Sequence, residues 1–322
     1  MSLLDLNDLT VRFRTPRGTI TAVDRLSLSL GRGEVLGLIG ESGSGKSVTL
    51  RALLRILPEA RTVITGGLRV EGQDVLALKG RDLRQYRGGT VSMVFQEPAT
   101  ALDPVFTIGQ QIAQAVRAHS GASQSDAMRR ALEMLDLVKI PSAASRLSNY
   151  PHEMSGGMRQ RAMIALALAT SPKLLLADEP TTALDATVQI QVILLLRELQ
   201  RELGMGVIFV THDVGVAAEI SDRVAVMYGG RLAETGSASQ VLRRPRHPYT
   251  RGLLGSSVHG LAPGQRIGAI PGMPPDLARM PPGCAFAPRC AQAGPQCDSG
   301  IPALVAADAG RAVACARLDL TA

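Results

Sequence analysis

The sequence predicts an α/β fold in which short buried strands run into loops and then into helices. Three observations predict it. A five-residue apolar run, Val35 to Ile39, breaks into the glycine-rich stretch GESGSGKS and is followed by a helical stretch from Val48 to Leu57 that Pro58 stops. A second apolar run, Leu174 to Ala177, ends in the adjacent carboxylates Asp178 and Glu179 before Pro180. Between them, residues 123–138 carry apolar side chains at 128, 131, 132, 135 and 138, the spacing of one helix face, with Ser and Asp capping residues in front and Pro141 behind.

The elements follow in order. Residues 3–30 alternate apolar and polar positions and read as strands joined by a turn at Thr15-Pro16-Arg17-Gly18. Gly31-Arg32-Gly33-Glu34 turns the chain into the Val35–Ile39 strand, and Ile64 to Leu76 reads as a further strand or hairpin punctuated by glycines. Val91 to Phe95 is a short buried strand that ends at Gln96. Residues 97–160 read as a mainly helical insert. Strands at Lys173 to Ala177 and Val207 to Val210 flank a helix from Ala186 to Leu203, and Val224 to Tyr228 with Arg231 to Glu234 make a last pair. From about Ala238 proline and glycine become dense, and an extended, loop-rich appendix is expected.

Composition narrows the class. The chain has 322 residues, enough for one large domain or two smaller ones, and 45% of them are hydrophobic, enough for a sizeable core. The longest apolar runs, Met163 to Ala169 and Val192 to Leu196, are far too short to cross a bilayer, and the first residues show no basic segment followed by an apolar one. Neither a membrane span nor a secretion leader is therefore expected. The net charge of +7 is spread along the chain, and aromatic residues make up only 3% with no Trp. Platforms for stacking bases are poorly supplied, so no nucleic-acid partner is expected.

The glycine-rich stretch fits the phosphate-binding loop pattern G-x-x-x-x-G-K-S in its strand-then-helix setting. Gly40, Gly43 and Gly45 let the backbone turn so that successive N–H groups of Gly40, Glu41, Ser42, Gly43, Ser44, Gly45, Lys46, Ser47 and Val48 can converge on one anion. The helix that follows adds its positive end. Lys46 would reach the β- and γ-phosphates, and the Ser47 hydroxyl would ligate Mg²⁺. At the tip of the LLLADEP strand, Asp178 would hold Mg²⁺ and Glu179 would polarise the attacking water. Ser155-Gly156-Gly157, just ahead of a helix expected from Ala162 to Thr170, offers a second seat for an anion. Two seats for one nucleotide species suit two chains facing head to tail, each completing the other's site by an isologous contact. ATP then holds the pair together and hydrolysis loosens it.

Taken together these motifs resemble an ABC-type ATP-binding subunit. The order is the phosphate loop at 40–47, Gln96 after a strand, SGGMRQR at 155–161, LLLADEP at 174–180, Ala183-Leu184-Asp185, and His212 after VIFVT. The resemblance implies a P-loop NTPase cassette over residues 1–240, with a RecA-like core, an antiparallel β subdomain and a helical subdomain at about 97–160. It implies that Phe13 stacks on adenine, that Gln96 contacts Mg²⁺ and senses a permease, and that His212 touches the γ-phosphate. Ser155, Gly156 and Gly157 would bind the γ-phosphate held by the other subunit, with Asp185 at the dimer seam. Met158 and Phe13 stand where many relatives have Gln and Tyr, and neither change removes a catalytic atom.

Three stretches are similar to the oligopeptide/dipeptide importer branch: QEPATALDPVFTIGQ at 96–110, the SGGMRQR variant, and RHPYT at 246–250 with the proline-rich tail PGMPPDLARMPPGCAFAPRC. The resemblance implies a C-terminal extension over 241–322 and an ATPase that powers peptide import from the cytoplasmic face of the inner membrane. Its implied partners are a second ATP-binding subunit (itself or a paralogue), two membrane permease subunits and an extracytoplasmic binding protein. A soluble ABC ATPase acting on nucleic acid or ribosomes is the alternative, though the paired cassettes and long insertions of such proteins are missing. A non-hydrolysing regulatory subunit is disfavoured by intact Lys46, Asp178, Glu179 and His212.

All four cysteines, Cys284, Cys290, Cys297 and Cys315, lie in the tail with the spacing C-x5-C-x6-C-x17-C. In a reducing compartment disulfides are disfavoured, which leaves a [4Fe–4S] cluster, Zn²⁺ or free thiols, and the spacing itself matches no common metal motif. Some importer ATPases of this branch carry a cluster in the tail, and on that resemblance a [4Fe–4S] cluster pinning the loop-rich segment is the expectation.

Overall fold

The computed structural model describes residues 2–16, 18–182, 184–256 and 268–318. By its contacts the chain divides into two units: one of Gly31–Gly33 and Ala77–Ile208, the other of Ser2–Leu30, Glu34–Leu76 and Phe209–Ala322.

The elements that build them run in chain order. The alternating stretch at the start forms β1 (Ser2–Thr15) and β2 (Gly18–Gly31), and the apolar run before the loop forms β3 (Val35–Ile39), every residue of it buried. Helix α1 (Lys46–Leu53) starts and ends earlier than its sequence predicts. Its N-cap is Gly45 in a left-handed conformation, so helical geometry begins at Lys46, and Arg55 at a φ of 56° closes the helix before Pro58 is reached. Then follow β4 (Thr62–Val70), β5 (Gln73–Asp74), α2 (Gly80–Gln85), β6 (Val91–Val94) and α3 (Pro98–Ala101). Helix α4 (Ile108–Ser120) opens on a reciprocal cap between Thr107 and Gln110, and α5 (Gln124–Leu137) on the Ser123 hydroxyl. After α6 (Ala143–Arg146), α7 (Gly156–Leu168) begins six residues ahead of the expected start, because Ser155 accepts a hydrogen bond from the Met158 N–H and makes the two glycines its first turn. The rest of the central chain is β7 (Leu174–Asp178), α8 (Ala186–Leu203), β8 (Gly206–Thr211), α9 (Val214–Ile220), β9 (Arg223–Tyr228) and β10 (Arg231–Ser237).

The described part of the tail holds more regular structure than its proline content suggests. It contains α10 (Ala238–Arg243), α11 (Pro248–Gly255), β11 (Val305–Asp308) and β12 (Arg311–Val313). Both helices carry local start signals, a capping box of Ser237 with Gln240 and a proline at the first position of α11.

In the first unit β6 and β7 pair in parallel, with Val91 opposite Leu174, and α7 packs on α3, α4 and α5. Arg161 ties α7 to α5 by donating to the Val138 carbonyl, and Arg130 reaches back from α5 to the Ala169 carbonyl. In the second unit β2, β1, β4 and β5 make a four-stranded sheet in that order, the β1–β4 pair being antiparallel. β3 pairs in parallel with β9, β9 antiparallel with β10, and β10 with β12, which in turn carries β11. The tail thus adds strands to the sheet that holds the phosphate-loop strand.

The tail also shares that sheet's core. Ile39 of β3, Val224, Val226 and Tyr228 of β9, Val241 of α10, Tyr249 and Leu253 of α11 and Phe286 form one buried apolar cluster. Tyr228, Tyr249 and Phe286 meet edge to face or tilted, with ring centroids 4.4 to 5.4 Å apart.

Beside this cluster lies a fully buried carboxylate. Glu234 pairs with Arg311 of β12 and accepts from the N–H groups of Arg246 (3.0 Å) and His247 (2.9 Å). A buried charge is tolerable because its oxygens are so well supplied with donors. Arg311→Ala leaves Glu234 buried without its cation, and the expected loss is about 3 kcal/mol or more of unfolding free energy in urea denaturation. Burial also pushes His247 down to about 4, against the opposing pull of Glu234. The ring is therefore neutral when folded, while the unfolded ring takes a proton below its ordinary value near 6.5. Stability is fully present above pH 6.5 and falls as pH drops towards 4, by up to ~3 kcal/mol. His247→Asn, which keeps an acceptor for the Tyr249 N–H, flattens that part of the stability-against-pH curve.

Candidate functional site

The phosphate loop is built by close approach. At Gly40 the backbone adopts a φ of 150°, and a Cβ there would lie 2.3 Å from the Met227 carbonyl oxygen of β9. At Gly45, with a φ of 105°, a Cβ would lie 2.6 Å from the Ala22 carbonyl. No other residue fits either position. Between them the Ser44 carbonyl accepts from the Gly230 N–H at 3.0 Å, which fixes the middle of the loop to the turn after β9.

Lys46, almost fully buried, folds its ammonium back into this loop. Nζ donates to the Gly40 carbonyl at 2.7 Å and to the Glu41 carbonyl at 2.9 Å. The loop therefore carries a positive charge at its centre, and α1 points its N-terminal end the same way. Glycines that exclude side chains, a cationic centre and a helix start are what a phosphate needs, so the residues present fit a nucleotide. Glu41 is held from the tail: its N–H donates to Tyr249 Oη at 2.8 Å and its carboxylate accepts from both Arg289 terminal nitrogens, at 2.6 and 3.0 Å. His212 follows β8 and is exposed, next to Asp213, whose carboxylate caps α9. Phe13 sits near the end of β1, opposite Thr62 and partly exposed.

The first unit brings together a second set. Asp178 is buried at the tip of β7. Glu179 follows with a φ of 47°, a left-handed conformation uncommon outside glycine, which turns its carboxylate out of the strand's alternation. That carboxylate accepts from Gln96 Nε2 at 3.3 Å and from Thr182 Oγ1 at 3.0 Å. Gln96 and Glu179, singled out separately in the sequence, are thus direct partners. Asp185 caps α8 by accepting from the Val188 N–H at 3.0 Å; Ala183 of the same turn lies outside the described residues. Val188 also packs under the SGG turn, since a Cβ on Gly157 would lie 2.8 Å from its Cγ1, whereas Gly156 has ordinary room.

The cysteine tail requires a correction. Among the described residues no group of three or more His, Cys, Asp and Glu side chains is placed to hold a metal ion, which overturns the expected [4Fe–4S] cluster and the Zn²⁺ alternative with it. The physical reason lies in the thiols' surroundings. The four cysteines line a cavity of only about 10 Å³ together with Pro248, Phe286 and Ala287. Burial raises Cys284 and Cys290 above the ordinary thiol range. The segment is tied by its backbone instead: the Cys284 N–H donates to the Cys297 carbonyl at 2.7 Å and the Ala287 N–H to the Cys284 carbonyl at 3.0 Å.

Comparison with known proteins places the chain. A family model described as ABC transporter matches residues 23–182, and one described as oligopeptide/dipeptide transporter, C-terminal region, matches residues 233–297. A putative peptide import ATP-binding protein of Brucella melitensis is 46% identical over 98% of this chain and 97% of its own length. The chain belongs to the ABC transporter ATP-binding family. Another putative peptide import ATP-binding protein, from Brucella abortus, is 49% identical over 97% of this chain and 94% of its own. Among solved structures, a dimeric ATP-binding cassette in a post-hydrolysis state with ADP and Pi matches with a TM-score of 0.65 and 28% identity, covering 73% of this chain and 98% of that one. CbiO1 from Clostridium perfringens, part of an ABC transporter complex, matches with a TM-score of 0.64 and 26% identity over 75% of this chain and 91% of its own. This family member is an ATP-hydrolysing enzyme, and among the described residues no helix is long and apolar enough to cross a membrane.

Sequence reasoning missed Tyr249 and Arg289. Both lie in stretches that carry the family resemblance, but nothing local announces that they reach residue 41. The packing of Gly157 on Val188 makes its own prediction. Gly157→Ala forces the Val188 methyl aside and lowers ATPase activity and melting temperature, and adding Val188→Ala, which removes the clashing atom, restores both most of the way in a thermal-shift and phosphate-release assay.

Proposed function

We propose that the chain is the ATP-hydrolysing subunit that energises peptide import across the cytoplasmic membrane. The observation that carries this reading is the match of one chain to both an ABC transporter model and the oligopeptide/dipeptide C-terminal model, with peptide import relatives aligned over nearly its full length. Those relatives give no support to action on nucleic acid or ribosomes.

The roles follow from the residues' chemistry. The loop of Gly40, Glu41, Ser42, Gly43, Ser44, Gly45, Lys46, Ser47 and Val48 takes the phosphates of ATP on its backbone N–H groups other than that of Glu41, which Tyr249 holds, and the Lys46 ammonium exchanges loop carbonyls for phosphate oxygens. Phe13 packs on the adenine. Ser47, Gln96 and Asp178 hold Mg²⁺, which when bound neutralises charge on the phosphate oxygens. Glu179 takes the proton of the attacking water, and the donors from Gln96 and Thr182 fix where its carboxylate points. His212 orients the γ-phosphate. Ser155, Gly156, Gly157 and Asp185 serve the nucleotide of a second ATP-binding subunit, a copy or a paralogue. Residues 1–240 then make the cassette and 241–322 an importer-type extension, on a peripheral subunit at the inner membrane's cytoplasmic face. Two permease subunits and an extracytoplasmic binding protein complete the transporter.

The test is a pair of substitutions in the purified protein. Glu179→Gln is expected to cut phosphate release by ~100-fold or more while ATP binding stays within a few-fold of wild type. Lys46→Ala is expected to abolish ATP binding itself. Undiminished hydrolysis by Glu179→Gln refutes the assigned base.

A further inference from the structure

The C-terminal segment does more than fill a core: it holds the second residue of the phosphate loop by both backbone and side chain. Tyr249 of α11 accepts the Glu41 N–H at 2.8 Å, and its ring is fully buried between Tyr228 and Phe286. Arg289 grips the Glu41 carboxylate with two parallel hydrogen bonds. The guanidinium is itself braced, donating to Tyr228 Oη at 3.2 Å and to the Pro271 carbonyl at 2.8 Å, and its side chain is 5% exposed. The contact spans 248 residues of sequence. Glu41 is also one of the two residues whose carbonyls receive Lys46 Nζ. Where the Glu41 peptide sits therefore decides where the ammonium sits.

The charge argument points the same way. Glu41 places a carboxylate on a loop that fits phosphate. Unneutralised, that carboxylate would repel the incoming anion in surroundings where screening is weak. Arg289 cancels it with a planar two-pronged pair that a lysine could not reproduce.

We propose that Tyr249 and Arg289 are positioning residues for ATP binding: they pre-set the phosphate loop through Glu41 and remove that residue's charge from the anion's path. The inference rests on the loop being the ATP site, as proposed above. It makes ATP affinity depend on the folding of the C-terminal segment onto β3 and β9.

The experiment is calorimetric titration of the full-length protein with ATP, together with steady-state phosphate release. Tyr249→Phe removes one oxygen and leaves the ring in place. Arg289→Met removes the charge and keeps most of the volume. Each is expected to weaken ATP binding by about tenfold, the effect of losing a charge-assisted or well-placed hydrogen bond, while the rate at saturating ATP changes less than about twofold. Val241→Ala, a cavity in the same core on α10, serves as the stability control and is expected to lower the melting temperature with ATP affinity unchanged. Glu41→Gln added to Arg289→Met is expected to recover most of the lost affinity, because it removes the exposed charge; a purely structural contact would give no such rescue. Unchanged affinity in Tyr249→Phe and Arg289→Met overturns the proposal, as does an equal loss in Val241→Ala or a failure of the rescue. Lys46→Ala separates the two readings: if it too leaves ATP binding intact, the loop assignment fails, and if it alone abolishes binding, only the positioning role fails.

Discussion

The phosphate loop exists because Gly40 comes within side-chain distance of the Met227 carbonyl. A Cβ at that point would sit 2.3 Å from the oxygen, closer than any real contact, so the turn that ends β3 is available to glycine alone. From that turn the chain can double back, Lys46 can reach the carbonyls of Gly40 and Glu41, and α1 can start at Lys46 with its N-terminal end towards the same space. The cost of holding a buried ammonium against backbone oxygens is met by hydrogen bonds of 2.7 and 2.9 Å, which a phosphate can replace with stronger, charged ones. What the strand supplies is rigidity: every residue of β3 is buried, and β9 lies beside it in parallel.

The C-terminal segment belongs to the same construction. Tyr249, Leu253 and Phe286 share a core with Ile39 and Val226, and β12 extends the sheet through β10. The stabilising elements there are aromatic packing, a fully satisfied Glu234–Arg311 pair and backbone hydrogen bonds among the cysteine residues. Cys297 is buried and the other three cysteines are half-buried around a cavity of about 10 Å³, and among the described residues no group is placed to hold a metal, so the expectation of a cluster gave way. A short spacing motif would have announced a metal; C-x5-C-x6-C-x17-C does not, and family resemblance alone had suggested the cluster.

Much of the rest was legible in sequence, for reasons that are local. The phosphate loop, the carboxylate strand and the amphipathic α5 are written in contiguous residues whose spacing has a direct structural meaning. Helix boundaries were less legible where caps compete. Ser155 started α7 earlier than its apolar residues suggested, and Gly45 with Arg55 shifted α1 towards the loop. The two tail helices were hidden by prolines that in fact start α11 and follow α10. The contacts that escaped entirely are long-range ones between side chains: Gln96 with Glu179 across 83 residues, and Arg289 with Glu41 across 248. Neither has a periodicity or a spacing to reveal it, because each depends on how strands distant in sequence are brought side by side.

The role proposed for this chain is the conversion of ATP hydrolysis into peptide import. The measurement that meets it most directly is peptide uptake into proteoliposomes holding the purified importer complex with this subunit, with phosphate release followed in parallel. Peptide accumulation that requires ATP is expected, together with hydrolysis that rises when peptide-loaded binding protein is supplied. ATP hydrolysis that ignores the peptide-loaded binding protein, with no ATP-dependent accumulation, would contradict it.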